Sequence, residues 1–419
     1  MECHSSNCSQ PMVGWTQGPD GRGTADILWT CFLTIFACTY SIIHVNLPAE
    51  DESGWGVLVR KVRWSLWAVY APELVTAHAA TQWEGARKSR DEMRGLGVAN
   101  WDLVHGFFAL SGGFVLHPPD TASFPVNAKA LFYLVSRGHV PAPKITAKEI
   151  WDRSKRDRFA KTVAVLQSLY LVTQTLGRAF KSLQVTCLEL VTVAFLLCTA
   201  VTSYFWMMKA LDVETPEHIY MKTSMARVLI EAGPAANEPF FFTPMDFVEQ
   251  PGWFKWKRQH IFRDFGGIGQ RPLRRIPNDF YDGPASWKLA IFLWVASIAH
   301  LGVHVFGWAF FFPTVTEWYM WQVASLSLLA IISGSGLFNV FSVKPGLDFR
   351  VNTLGIWYTT PEKNTFWRRW AVHGPAFLAA MVYYLAKTFI LVEAFVSLRL
   401  MSTSAYQTVP WTDYLLRGS

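Results

Sequence analysis

Between Arg63 and Glu84 the chain reads RWSLWAVYAPELVTAHAATQWE, and Glu73 is the only charge inside that stretch. An ionisable side chain in hydrocarbon costs about 2.5–3.5 kcal/mol on insertion scales, so an intramembrane acid is a candidate functional group. Pro72 removes a backbone hydrogen bond beside it and predicts a kink in the helix there. A carboxyl kept protonated by burial is a general acid. The plainer alternative is that Glu73 pairs with a neighbouring helix and holds the bundle together.

Five further residues join Glu73 as candidates. His78 lies about a turn and a half beyond it, Asp102 and His105 open the next apolar stretch, Glu189 sits one turn inside another, and Asp26 begins the first. For each, an end cap or an interhelical hydrogen bond is the simpler role, and for Asp26 a favourable place at a helix start. His300 and His304 share a helix face at i, i+4 spacing. That spacing resembles part of a di-iron set, but the further histidine clusters such a set needs are missing from the sequence. No phosphate loop, Rossmann fingerprint, nucleophile elbow or Asp-rich magnesium motif is present, and FGGIGQRP at 265–272 follows no apolar strand. The expectation is acid–base chemistry without metal or cofactor. Trp, Phe and Tyr faces would stabilise a cation while water is excluded.

The elements that must hold these residues are membrane helices. Of 419 residues, 51% are hydrophobic and 16% charged, against about 25% charged in a soluble domain. Twenty Trp and 31 Phe suit aromatic belts and apolar pockets. The net charge of +7 sits between apolar runs, as in cytoplasmic loops, and implies no nucleic acid. Cys31, Cys38, Cys187 and Cys198 lie inside apolar runs and read as small buried hydrophobes. The predicted fold is an all-α integral membrane protein with eight spans, near 25–47, 64–82, 100–117, 160–180, 185–208, 287–312, 318–341 and 372–398. The third is short and Gly-rich, and a re-entrant element is its alternative.

A short segment, 1–24, precedes five spans within 25–208. The stretch 209–286 is a long polar loop, predicted to carry amphipathic interfacial helices with Arg271, Arg274 and Arg275 at lipid headgroups. Three spans within 287–398 and a tail, 399–419, complete the chain. Lys and Arg gather in 48–63, 118–158, 209–286 and 342–371, which places those loops in the cytoplasm and the N-terminus, with the Asn7 sequon, in the lumen. The connector 84–98, with Arg87, Lys88, Arg90 and Arg94, is the exception. In this topology most candidate acids and imidazoles fall in one half of the bilayer, around one cavity.

The stretches GRGTADILWTCFLTIFACTYSIIHVNLP, APELVTAHAATQWE, DRSKRDRFAKTVAVLQSLYLVTQTL, LELVTVAF, MKALDVETP, FPTVTEWYMWQVASLSLLAI and AYQTVPWT resemble a large fungal family of polytopic membrane proteins. Through it the chain is similar to the integral-membrane terpene cyclases of meroterpenoid clusters, which fold a prenyl chain by protonating an epoxide or alkene. That resemblance implies a hydrophobic prenylated substrate, a place in the endoplasmic reticulum membrane, and a proton donor among Asp26, Glu73, Glu84, Glu189, Asp212 and Glu214. A metabolite exporter and a non-catalytic membrane scaffold are the competing classes. Oligomeric state is not legible in the sequence.

Overall fold

The computed structural model describes residues 11–18, 21–154, 158–237, 240, 242–248, 271–278, 286–342, 350–351, 357–358 and 366–409. The Asn7 sequon and most of FGGIGQRP lie outside them. Described helices are α1 (Thr24–Ile42), α2 (Gly54–Tyr70), α3 (Pro72–Gly95), α4 (Leu103–Leu110), α5 (Ala128–Ser136), α6 (Ala147–Asp152), α7 (Arg158–Phe180), α8 (Cys187–Phe205), α9 (Met225–Ala232), α10 (Trp287–Gly302, continued by a 3-10 helix Val303–Ala309), α11 (Val315–Ser342) and α12 (Phe366–Val396). Strands are short: β1 (Met12–Val13), β2 (Phe114–His117), β3 (Phe124–Val126), β4 (Glu217–Tyr220), β5 (Arg350–Val351), β6 (Trp357–Tyr358) and β7 (Met401–Ser402).

Among the described residues, five helices are long and apolar enough to cross a membrane: Thr24–Ile42, Cys187–Phe205, Trp287–Ala309, Val315–Leu337 and Phe377–Arg399. They match the first, fifth, sixth, seventh and eighth predicted spans. The fourth, α7, is as long but carries Gln167, Thr173, Gln174, Thr175 and Arg178. It runs antiparallel to α1, with Ser168 Oγ 3.1 Å from Cys38 Sγ. At its far end the buried Arg178 guanidinium donates to the carbonyls of Gln184, Ser404, Ala405 and Gln407. Close by, β1 pairs antiparallel with β7. One end of the bundle thus gathers both described ends of the chain, and we call it the terminal end.

The predicted second span does not cross. Its helix breaks at Ala71, where Pro72 starts a new helix because its missing N–H costs nothing at a first turn. Near its start, α2 is tied to the end opposite the terminal one. Lys61 pairs with Asp212 at 2.6 Å and lies over the Tyr40 ring late in α1, while Arg60 donates to Asn46 O at 3.2 Å. Its last residue, Tyr70, reaches Tyr384 O and Thr388 in the middle of α12, both at 2.9 Å. From there α3 runs back beside α8: Thr76 donates to Cys198 O, and Gln82 Oε1 accepts from Trp206 beyond the end of α8. Hence α2 and α3 form a hairpin that enters and leaves on one side, with its apex at Ala71–Glu73.

The predicted third span is also corrected. Residues 100–117 form the eight-residue α4, about 12 Å long, followed by a sharp turn and β2. They belong to a small α/β unit at the end opposite the terminal one. Its sheet has the order β3-β2-β4, with β2 antiparallel to β3 and parallel to β4, so the fold is mostly helical rather than all-α. Trp101, Phe107, Phe114, Leu116, Phe124, Leu131 and Leu134 are fully buried there. Gly106 lets α4 rest on α3, since a Cβ would stand 2.4 Å from Ala86 O. The described part of 209–286 supplies β4 and α9 to this unit. Within the stretch predicted to be interfacial, Arg274 pairs with Asp51 and Arg275 with Glu52. The bundle has a separate apolar core around Ile27, Leu171, Leu188, Trp321, Leu328 and Ile390, in which Cys31 and Cys187 are buried as expected.

Candidate functional site

The hairpin apex places Glu73 against α10 and α12. His300 Nε2 is 3.3 Å from Glu73 Oε2, and Lys387 Nζ is 3.4 Å from each carboxylate oxygen and 3.2 Å from His300 Nε2. Tyr383, one turn before Lys387, donates its hydroxyl to Glu73 Oε1. The side chains of Glu73, His300 and Lys387 are 2–4% exposed. Lys387 stands ten residues after Phe377 and twelve before Arg399 in its span, about 15–18 Å from either end. The cluster therefore sits at mid-depth.

The hydrogen bonds define what protons can do there. His300 Nδ1 is 2.9 Å from Ala194 O; a carbonyl only accepts, so Nδ1 carries hydrogen. Nε2 then either accepts from Lys387 or, when protonated, donates to Glu73. Each arrangement keeps a carboxylate as the counter-charge, and a proton can pass between Nε2 and Nζ without moving the backbone. This differs from the expected lone carboxyl in an apolar wall. Tyr383 and Lys387 donate to Glu73 in either arrangement, and His300 joins them when Nε2 is protonated, which compensates a buried carboxylate.

The other predicted residues do not join it. His78 is five residues beyond Glu73, about 140° around α3, and faces a second polar hub. There Gln82 Nε2 lies 2.9 Å from His78 Nε2, and His78 stacks on Trp64. Asp26 accepts from Gly23 N at the start of α1 at 2.8 Å. Glu189 closes a capping box with Thr186 at the start of α8 and pairs with Arg22 at 2.6 Å. Both stand at the terminal end. Asp102 caps α4 and pairs with Arg94 at 2.6 Å, and its N–H donates to His105 Nδ1. His105 Nε2 is 2.9 Å from Ile145 O, and burial lowers its pKa. Both belong to the α/β unit. Glu84 accepts from Ser286 N, and Asp212 pairs with Lys61. One cavity uniting the six candidates is thus corrected: the hairpin does not cross, so residues expected in one half of the bilayer occupy opposite ends.

Sequence reasoning missed Tyr383 and Lys387. Lys387 is the only basic residue in AFLAAMVYYLAKTFILVEAFVSL, residues 376–398, and the rule that singled out Glu73 applies to it equally. It also missed Lys209, four residues past α8. Lys209 Nζ donates to His44 O at 2.9 Å, Gln82 Oε1 at 2.9 Å and Asn46 Oδ1 at 3.3 Å, and lies 5.0 Å from the Trp206 ring centre. Burial pushes Lys209 down to about 7. Burial, with Lys209 beside it, pushes His44 down to about 3.

No curated protein and no solved structure matches the chain. A family does match, over residues 1–231 and 287–417, which include both ends of the bundle, the hairpin, the Glu73 cluster and Lys209. The chain belongs to that family, a family of unknown function (DUF8562).

Proposed function

We propose that this chain is an integral-membrane enzyme that performs acid–base chemistry on an apolar substrate at the Glu73–His300–Tyr383–Lys387 cluster. The reaction proposed is cyclisation of a prenyl chain on a meroterpenoid-type substrate, started by protonating an epoxide or alkene. One observation carries this reading: three helical elements bring a carboxylate, an imidazole, a phenol and an amine together at mid-depth. A structural ion pair needs only two of them. In this scheme His300 delivers the proton, Glu73 holds the counter-charge, and Lys387 restores the proton to Nε2. The overall change is an isomerisation, since the proton given to the chain is returned when the final cation loses hydrogen.

The topology proposed with it puts the N-terminus in the lumen of the endoplasmic reticulum and the α/β unit in the cytoplasm, with α7 as a sixth crossing beside the five apolar helices. Protease treatment of sealed microsomes checks this: a tag at the N-terminus is protected and one in 118–158 is cut.

The decisive experiment supplies a farnesylated phenol and its terminal epoxide to microsomes holding only this protein. An isomeric cyclised product, carrying deuterium when made in D₂O from the alkene, is expected. The charge-neutral double variant E73Q/K387M should lower turnover at least about 10²-fold. A folded protein that converts neither substrate overturns the reading. A second reading, a proton-coupled exporter, is favoured by the mid-depth position of a broken-helix apex. It predicts flux across sealed vesicles with no chemical change in the metabolite.

A further inference from the structure

The second polar hub contains an amine with unusual surroundings. Lys209 is 3% exposed, and its three N–H groups meet three neutral oxygens from the segment just past α1 and from α3. None of these partners is a carboxylate. Asp212, the nearest acid in sequence, is taken by Lys61. Two polar atoms of the same hub, His44 Nε2 and Asn278 Nδ2, have no hydrogen-bond partner among the described residues, on residues 6% and 4% exposed. His44 supplies a carbonyl to Lys209. Asn278 Oδ1 accepts from the N–H of Asn46, which supplies another oxygen. Among the described residues, the hub therefore holds a buried amine with no carboxylate partner, an acceptor and a donor left unpaired.

We propose that Lys209 is a carbonyl-capturing amine, the point at which an aldehyde or ketone is held as an imine. The neutral amine adds its lone pair to the carbonyl carbon, forming a C–N bond, while the carbonyl oxygen becomes a hydroxyl. Loss of that hydroxyl with the remaining N–H hydrogen releases one water and leaves C=N, with no oxidant or reductant. Product formation discharges a buried cation that has no counter-ion, which favours the imine in this setting. Burial that brings the amine down to about 7 leaves about half of it nucleophilic at neutral pH. Gln82, which accepts from Lys209 through Oε1, is held in place by its Nε2 contact to the half-buried His78 at 2.9 Å. This proposal does not depend on the cyclase reading, because it concerns a different hub.

The test uses the full chain in detergent micelles, with dodecanal as the probe and cyanoborohydride to fix any imine, between pH 5.5 and 8.5. Digestion and mass spectrometry then locate the dodecyl groups. At pH 7 an ordinary lysine is neutral in roughly one molecule in 10³, so Lys209 is expected to be labelled at least about 10-fold more than the exposed Lys144 or Lys222. Its labelling should be half-maximal near pH 7. Labels confined to Lys88, Lys144, Lys181 and Lys222, with Lys209 modified only after unfolding, would overturn the proposal. Because the native chain is mapped directly, no variant has to fold.

Discussion

Lys387 and Lys209 are equally buried, at 3% exposure each, and the fold accommodates them in opposite ways. Lys387 has a carboxylate within 3.4 Å and an imidazole at 3.2 Å. Among the described residues, Lys209 has only carbonyl and amide oxygens and the face of Trp206. The first is a charge pair in which a proton can move and leave the net charge unchanged. The second is an isolated cation whose easiest relief is to lose its proton. Mid-bilayer burial demands pairing, whereas at the end of α8 polar backbone is at hand and an amine can be held by dipoles alone.

Removing one charge at a time separates the two lysines most directly. Lys387→Met leaves the buried Glu73 carboxylate with the His300 imidazole as its one cationic partner among the described residues, and Glu73→Gln leaves the ammonium without its carboxylate. Each should cost about 3–5 kcal/mol in reversible unfolding in mixed micelles, and the double variant should recover most of that loss. Additive costs would mean that the two groups do not sense each other. Lys209→Met strands no partner charge, only neutral oxygens, and should cost less near neutral pH than either single variant of the Glu73–Lys387 pair.

A smaller effect sharpens the other half. The folded pKa of Lys209, about 7, lies below its ordinary value of 10.5. Between those values the unfolded chain binds more protons than the folded one, so stability rises with pH across the window. Below about 7 the full cost of the buried cation is present. The gain over the window is on the order of a few kcal/mol. His44, already neutral above about 3, contributes nothing there. Melting curves at pH 6.5, 8 and 9.5 should show the wild-type rising relative to Lys209→Met. Parallel curves would show that the Lys209 amine is not depressed.

The same contrast explains what was legible in the sequence. Five spans were readable because a crossing helix needs a continuous apolar run. Hydropathy does not say whether a run returns, so 64–82 reads as one crossing although Pro72 splits it into the arms of a hairpin. Residues 103–117 are apolar for another reason: Phe107, Phe108 and Phe114 fill the core of the α/β unit. With both corrections, the connector 84–98 and the loop 118–158 fall at the same end of the bundle. The basic connector is then no longer an exception to the charge pattern. Glu73 stood out as an acid in an apolar run, but its partners come from α10 and α12, more than 220 residues away. No local spacing could pair them.

The smallest effect concerns Asp102, a candidate that the structure places far from both lysines. Its carboxylate pairs with Arg94 at 2.6 Å, but the two side chains are 45% and 52% exposed. A pair so open to water is worth about 0–1 kcal/mol, and less in high salt. Asp102 also occupies the N-cap of α4, with its N–H held by His105 Nδ1 at 3.0 Å. Asparagine is as good an N-cap as aspartate, so Asp102→Asn removes the charge while leaving the helix start intact. The expected result is a stability change within about 1 kcal/mol and unaltered turnover. It is read from one melting curve and one assay beside E73Q/K387M. An Asp102→Asn protein with wild-type stability but turnover reduced 10²-fold would move the chemistry from the hairpin apex to the α/β unit. Unchanged turnover there, with loss in the charge-neutral pair, confines it to mid-depth.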